Sequence, residues 1–206
     1  PFSCISKYGF FQYCAQATLD IPWKFNKYSK LKEFQIEKFI ELKLDSVNNV
    51  PQIKEVVKRF LYFTCFSPYQ HVKMTAIIPR LAYALGQTIP IQIDYVNNSD
   101  REVIKTQIKL IYVESYRYPS NENRKLVEVK KVVAKMDAGG VQKHKTKSVE
   151  CDLKIPLTVW ISNENRSKIM KFQYMLEVRA VFRGLIFSSK IEMPVKILSK
   201  PRKLET

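Results

Sequence analysis

The feature that most constrains the fold of this chain is a strict alternation of apolar and polar residues near its C-terminal end. Between residues 171 and 183 almost every second side chain is apolar, so a β-strand would place them on one face. Gly184 then provides a turn, and a second alternating run follows over residues 185–197. The pattern predicts a β-hairpin. Pro194 has no N–H to donate to a neighbouring strand. The second strand is therefore expected to lie at a sheet edge or to have an unpaired position at Pro194.

The same alternation recurs through most of the chain and predicts an all-β fold. The further alternating runs cover residues 13–19, 72–78, 89–95, 104–112 and 151–159. Residues 53–61 could also form an amphipathic helix, but the aromatic-rich stretch that follows directly favours a strand. Many strands separated by turns, such as the turn predicted at residues 97–100, indicate an immunoglobulin-like antiparallel β-sandwich.

A polar stretch with two asparagines and a proline, residues 45–52, is predicted to link two units. Residues 1–44 would then be leftover strands of a second, incomplete sandwich. Residues 53–199 would form a nearly complete domain, and residues 200–206 a short basic tail. Because the chain starts at a proline and not at a methionine, it is expected to be a fragment or a processed form. Leftover strands should expose an apolar face, so association or poor solubility is expected.

The chain is strongly basic, with 35 lysines and arginines against 19 aspartates and glutamates and a formal net charge of +16. Such a field attracts acidic partners, which include nucleic acid, anionic lipid headgroups and phosphorylated protein tails. The candidate contact residues are Lys143, Lys145 and Lys147, within a stretch predicted to be a mobile basic loop or hairpin connection, residues 137–148. The alternative interpretation is a solvated loop without a partner.

No pattern of residues in the sequence supports catalysis. The two histidines, His71 and His144, are interpreted as ordinary surface residues, and the five glycines form no phosphate-binding loop. No metal-ligand spacing or carboxylate pair occurs either. We therefore expect no catalytic residue, no metal and no cofactor, and the chain is predicted not to be an enzyme.

The four cysteines, Cys4, Cys14, Cys65 and Cys151, form no C-x-x-C pair, so neither a zinc site nor a redox motif is predicted. We expect them to be small buried apolar residues, as in a cytosolic protein; disulfide pairing in a secreted protein is the alternative. Basic and aromatic residues mix at residues 58–60 and 116–118, but neither cluster matches a nucleic-acid-binding motif. No apolar run is long enough to span a membrane.

One segment carries a family resemblance. Residues 78–103, IPRLAYALGQTIPIQIDYVNNSDREV, resemble the opening of the arrestin C-terminal domain, especially in α-arrestins, the arrestin domain-containing proteins. The positions that fit the family pattern are Ile78, Arg80, Tyr83, Gly86, Gln87, Ile89, Ile91, Asn97, Asn98 and Ser99. Residues 13–23 resemble a late strand of the arrestin N-domain, and residues 169–178 and 193–197 resemble the last two strands of the C-domain.

The resemblance implies a specific organisation and function. Residues 1–44 would be the C-terminal remnant of an arrestin N-domain, and residues 53–199 an arrestin C-terminal-like domain. The chain would be an adaptor or scaffold that binds cytoplasmic parts of membrane proteins in trafficking, endocytosis or protein transport. It would work in the cytoplasm, peripherally at the plasma membrane or endosomes, where anionic lipid is a further partner. A retromer-like sorting scaffold subunit is one alternative, and a basic nucleic-acid-binding β-domain is another.

The chain departs from the family pattern in places that limit what the resemblance implies. Leu198 stands where a closing glycine is usual, and Lys168 occupies the neighbourhood of a frequent cysteine. The P-P-x-Y motifs that dock ubiquitin ligases in this family have no counterpart, because the chain contains no Pro-Pro pair. A link to a ubiquitin ligase is therefore not implied, and neither is thioredoxin binding through Cys151.

Overall fold

The computed structural model describes residues 3–6, 9–19, 28–36, 49–60, 70–118, 125–162, 169–184 and 188–199. Every regular element in these stretches is a β-strand, so the predicted all-β class is confirmed. The strands in chain order are β1 (Cys4–Ser6), β2 (Gly9–Phe11), β3 (Tyr13–Leu19), β4 (Tyr28–Phe34), β5 (Gln52–Phe60), β6 (Gln70–Ile78), β7 (Ala82–Ala84), β8 (Thr88–Asn98), β9 (Val103–Tyr118), β10 (Lys125–Val141), β11 (Thr146–Lys154), β12 (Met170–Phe182) and β13 (Ser189–Leu198). By their contacts the residues divide into two units, 1–40 and 41–206.

The first unit contains two small antiparallel pairs, β1 with β2 and β3 with β4. Tyr13 packs against Phe34 across the second pair, with ring centroids 6.1 Å apart. Other large apolar side chains are exposed, and these include Ile5, Phe10, Leu19, Leu31 and Ile36. A two-stranded pair buries little apolar surface by itself, so we still expect association through this unit. The predicted domain and linker bounds also stay predictions.

The second unit is a β-sandwich of two sheets. One sheet has five strands in the order β10-β9-β12-β13-β7, and the other has four in the order β11-β8-β6-β5. Neighbouring strands run antiparallel except β13 and β7, which form a short parallel pair at one edge. The predicted antiparallel sandwich is therefore confirmed, and the segment that could also have formed a helix is the strand β5.

The core lies between the two sheets and follows the alternation of the sequence. Most apolar positions predicted to share a face on the last hairpin are buried: Phe172, Tyr174, Leu176, Val178, Ala180, Phe182, Ile191, Met193, Val195 and Ile197. Leu185 and Phe187, predicted on the same face, lie outside the described residues. A buried polar contact joins the sheets, because the Tyr95 hydroxyl on β8 lies 2.8 Å from the Thr106 hydroxyl on β9. Thr106 also donates to the carbonyl of Gly139 on β10. Burial raises the pKa of Tyr95 to about 12, so this phenol stays protonated and can donate.

The predicted hairpin of the last two strands is confirmed, since β12 and β13 pair antiparallel and Gly184 has a φ of 69°. The predicted free position at Pro194 is also found, because β7 pairs only with Lys196–Leu198. The Pro194 carbonyl accepts a hydrogen bond from the Gln52 side chain, and the Glu192 carbonyl accepts one from Lys54. Side chains of β5 thus cover the open edge of β13, where a proline already prevents pairing with another strand.

The predicted bounds of one loop and one strand were wrong. Residues 137–148 were expected to form a mobile basic loop or a hairpin connection, but β10 keeps pairing with β9 as far as Val141, and β11 begins at Thr146. The connection is therefore a tight turn between strands of different sheets. The strand expected over residues 151–159 ends at Lys154, where its pairing with β8 ends.

Candidate partner-binding surfaces

The turn that follows β8 is organised by one buried asparagine. Asn97 is 1 % exposed, and its side-chain amide donates to the carbonyls of Arg101 and Gln142 at 2.7 and 3.0 Å. Its side-chain oxygen accepts from both the backbone N–H and the hydroxyl of Ser99. The backbone N–H of Asn97 donates to the carbonyl of Lys145. One residue therefore holds the turn after β8 against the turn between β10 and β11.

The candidate lysines lie on that second turn and at the start of β11. Lys143, Lys145 and Lys147 are all exposed. The Lys147 ammonium donates to the Gly140 carbonyl at 3.1 Å, so it lies back along the end of β10. Lys143 and Lys145 remain at the turn. Their contact with an acidic partner stays a prediction.

A carboxylate lies beside these lysines and offsets part of their charge. Asp100 accepts a hydrogen bond from Gln70 and lies 2.8 Å from the ring nitrogen of His144, which has a φ of 54°. These two hydrogen bonds, with a smaller contribution from Lys143, lower the pKa of Asp100. The turn therefore carries both positive and negative charge. It should attract anions more weakly than three lysines without a neighbouring carboxylate would.

A larger basic surface lies on the outer face of the five-stranded sheet, away from the four-stranded sheet. The strand registers place these basic residues on it: Lys105, Lys109, Arg117, Lys130, Lys135, Lys171, Arg179, Lys190 and Lys196. They outnumber the carboxylates of that face, which are Glu128, Asp137, Glu177 and Glu192. We call this surface the outer basic face.

The carboxylates are concentrated in one half of the outer basic face. Glu177 is only 5 % exposed and lies 3.0 Å from the Arg179 guanidinium and 3.8 Å from the Lys109 ammonium. At the other end of the sheet, neither Arg117 nor Lys171 forms an ion pair with a described residue. These two cations are therefore available to an acidic partner.

Two adjoining depressions lie at this positive end, and we call them together the outer groove. The first is lined by Ser115, Arg117, Leu126, Glu128, Ile169, Lys171 and Gln173. The second is lined by Val113, Glu128, Lys130, Gln173, Tyr174, Met175 and Pro194. Each holds about 150 Å³, and they share Glu128 and Gln173. Leu126 and Ile169 are 51 % and 60 % exposed, so apolar surface is open to solvent between basic side chains.

The four-stranded sheet carries a wider depression on its own outer face, of about 520 Å³. Three prolines, Pro51, Pro79 and Pro90, line it together with Ile77, Ile91, Gln92, Glu150, Cys151 and Asp152. Its carboxylates give it the opposite charge character from the outer basic face. The sulfur of Cys151 lies 3.6 Å from the Ile91 carbonyl.

The two cysteines described with their side chains are both free thiols in different surroundings. Cys151 is half-buried, whereas Cys14 is exposed, so the expectation of buried cysteines was wrong for Cys14. The physical reason is that β3 belongs to a two-stranded pair, which does not enclose side chains. The side chain of Cys4 and all of Cys65 lie outside the described residues.

We expect iodoacetamide to modify Cys14 far faster than Cys151 in the folded chain. Burial, with a smaller contribution from Asp152, raises the pKa of Cys151 to about 11, so at pH 8 only about one molecule in a thousand carries the reactive thiolate there. Mass spectrometry of the two cysteine peptides over time measures both rates. Denaturant should bring the rates together, and equal rates in the folded chain would contradict the assignment.

Among the described residues, no group of three or more histidine, cysteine, aspartate or glutamate side chains that could hold a metal ion is found. The His71 ring lies 3.4 Å from the Asn98 side chain, and the His144 ring contacts Asp100. In the same stretches no helix is long and apolar enough to cross a membrane.

The sequence predicted the exposed lysines of the turn as candidate contacts, but it did not predict the outer groove. The alternation along β12 already placed Lys171, Gln173 and Arg179 opposite the core. Which residues of β9 and β10 lie beside them depends on strand register, and the register of β10 shifts by one residue between Val132 and Ala134. A single sequence contains no signal for that shift.

Most of the chain matches a known protein family. Residues 68–202 match the family model described as Arrestin (or S-antigen), C-terminal domain, and this range includes the strands β6 to β13. No curated protein matches the chain at a significant level.

Proposed function

The chain belongs to the arrestin family, and we propose that it is a non-enzymatic adaptor that binds cytoplasmic parts of membrane proteins during their transport or endocytosis. Family membership makes it a protein of adaptor or scaffold type. The finer role would place it in the cytoplasm, peripheral to the plasma membrane or endosomes. In this proposal residues 1–44 are the remnant of an N-domain, residues 45–52 a linker, residues 53–199 the C-terminal-like domain and residues 200–206 a basic tail.

The observation that carries the proposal is the outer basic face. A two-layer sandwich is a rigid platform, and its exposed sheet face carries an excess of lysine and arginine. Acidic segments of membrane-protein tails are complementary to such a face, which would speed their association and reject basic segments. The turn lysines Lys143, Lys145 and Lys147 are proposed as a second, weaker contact, because Asp100 lies beside them.

Binding of the whole chain to acidic peptides tests this proposal. We expect an immobilised peptide rich in aspartate and glutamate to retain the chain, with an affinity that falls as sodium chloride is raised. A peptide with lysine in place of the acidic residues should not bind. Tighter binding to a single-stranded oligonucleotide than to the acidic peptide would contradict the adaptor proposal and favour a nucleic-acid-binding domain.

Charge-reversal variants test the contribution of each basic surface to peptide binding separately. The triple change R117E, K130E and K171E should weaken peptide binding by about tenfold or more. Reversal of the turn lysines, K143E, K145E and K147E, should weaken it only about twofold. A matched reversal elsewhere, K30E, K32E and K154E, serves as the control for net charge. If all three triple variants lose binding equally, overall charge and not the outer basic face is responsible.

A further inference from the structure

We infer that the outer groove binds an extended acidic–apolar peptide segment, with two apolar side chains spaced four residues apart. This rests on the proposed function, because it names the surface through which the adaptor would recognise a tail. The apolar part of the groove is exposed at Leu126 and Ile169, and basic side chains flank it at Arg117 and Lys171. A ligand that satisfies both features must combine an apolar residue with carboxylates.

The size of the two depressions favours single side chains as their occupants. Each holds about 150 Å³, which is less than the roughly 300–1,000 Å³ of pockets that enclose whole small molecules. Their linings include apolar side chains in both cases, Leu126 and Ile169 in the first and Val113, Met175 and Pro194 in the second. One apolar side chain of a peptide would therefore enter each depression.

The distance between the depressions sets the spacing of the two anchors. Ser115 and Arg117 of β9 line the first depression and Val113 of β9 lines the second, so the far end of the first depression lies four residues from the second. Four residues correspond to about 13 Å along a strand. An extended segment lying parallel to β9 has the same rise, and its residues i and i+4 point to the same side. Such a segment would place one anchor over each depression.

The charges of the groove predict the remaining positions of the segment. Arg117 and Lys171 line only the first depression, so acidic residues are favoured beside the anchor that enters it. Glu128 lines both depressions, between the two anchors. The side chain at i+2 would face Glu128, and a carboxylate there would be repelled. Lys130 lies 4.0 Å from Glu128 and reduces this repulsion only in part.

Fluorescence anisotropy with the whole chain tests the groove. The probe is a labelled peptide with two leucines four residues apart, a serine midway and two aspartates beside the first leucine. Alanine at either leucine should weaken binding about tenfold, and so should a spacing of three residues. Aspartate in place of the midway serine should also weaken binding, and the variant E128Q should restore most of that loss.

Two pairs of variants with matched chemistry provide the controls. K171E should weaken binding about tenfold, whereas K135E, on the same face outside the groove, should change it less than about twofold. L126D should abolish binding, whereas L157D, at another exposed leucine, should not. All four changes affect side chains that are wholly or partly exposed, and thermal melting confirms that each variant folds.

The outcomes separate the groove from the proposed function. If acidic peptides bind but leucine spacing and the K171E variant have no effect, the groove is overturned while the adaptor proposal stands. If no acidic peptide binds at all, both fail. Binding to phosphatidylserine vesicles that survives L126D and K171E, without binding to the probe peptide, would overturn the groove in favour of a membrane-facing surface.

Discussion

Replacing Gly140 with alanine is expected to lower the free energy of unfolding by about 3 kcal/mol. A Cβ at this position would lie 1.8 Å from the carbonyl oxygen of Val103 and 2.8 Å from the carbonyl carbon of Ile104. Both atoms belong to the backbone of β9, so no side chain can move aside to relieve the clash. The end of β10 would have to separate from β9, and the hydrogen bonds beyond it would be lost.

The neighbouring glycine provides a matched control for this prediction. A Cβ at Gly139 would meet only the ammonium tip of Lys147 at 3.3 Å, and a lysine side chain can rearrange. We therefore expect G139A to change stability by less than about 0.5 kcal/mol. Urea unfolding of both variants measures the difference. Equal loss of stability in the two would mean that β10 does not approach β9 as closely as described.

Replacing Asn97 with alanine is the second change expected to have a large effect, also about 3 kcal/mol. The substitution removes the partners of the Arg101 carbonyl, the Gln142 carbonyl and the Ser99 N–H at a position that is almost completely buried. Leaving buried polar groups without partners costs more than the net value of the bonds themselves. N98A, one position further along and exposed, should cost less than about 0.5 kcal/mol.

Hydrogen exchange can show whether Asn97 also orders the basic turn. In the parent chain the backbone N–H of Asn97 donates to Lys145, and the side chain holds Gln142. We expect N97A to speed exchange at the start of β11, while amides at the centre of β12 keep their protection. A stability loss spread evenly over both sheets, with no local increase in exchange, would contradict this role.

These two positions also hold the turn with the candidate contact lysines on the sandwich. Gly140 allows β10 to stay paired up to Val141, and Asn97 ties the following turn to the end of β8. The outer groove depends on neither of them, since its residues lie toward the opposite end of β9 and β12. N97A should therefore weaken any binding through Lys143 and Lys145 while leaving the outer groove intact.

Much of the sandwich could be predicted from the local sequence pattern alone. Period-two alternation assigns inward and outward faces within any one strand, so the buried set along β12 and the outward set with Lys171 and Arg179 were both predictable. A turn near residues 97–100 was predictable because asparagine and serine favour turns, although β8 extends through Asn98 before the chain turns. The bounds of β10 were not, because its last residues are held by pairing with β9 and have no strong pattern of their own.

What the sequence by itself determined is therefore the face of each strand, the all-β class and the arrestin resemblance. Only the tertiary structure decided which outward faces lie side by side. Strand register, with its shift near Val133, places Leu126 of β10, Arg117 of β9 and Lys171 of β12 side by side in the outer groove. Register is a long-range property set by the packing of whole strands, so no local run of residues encodes it.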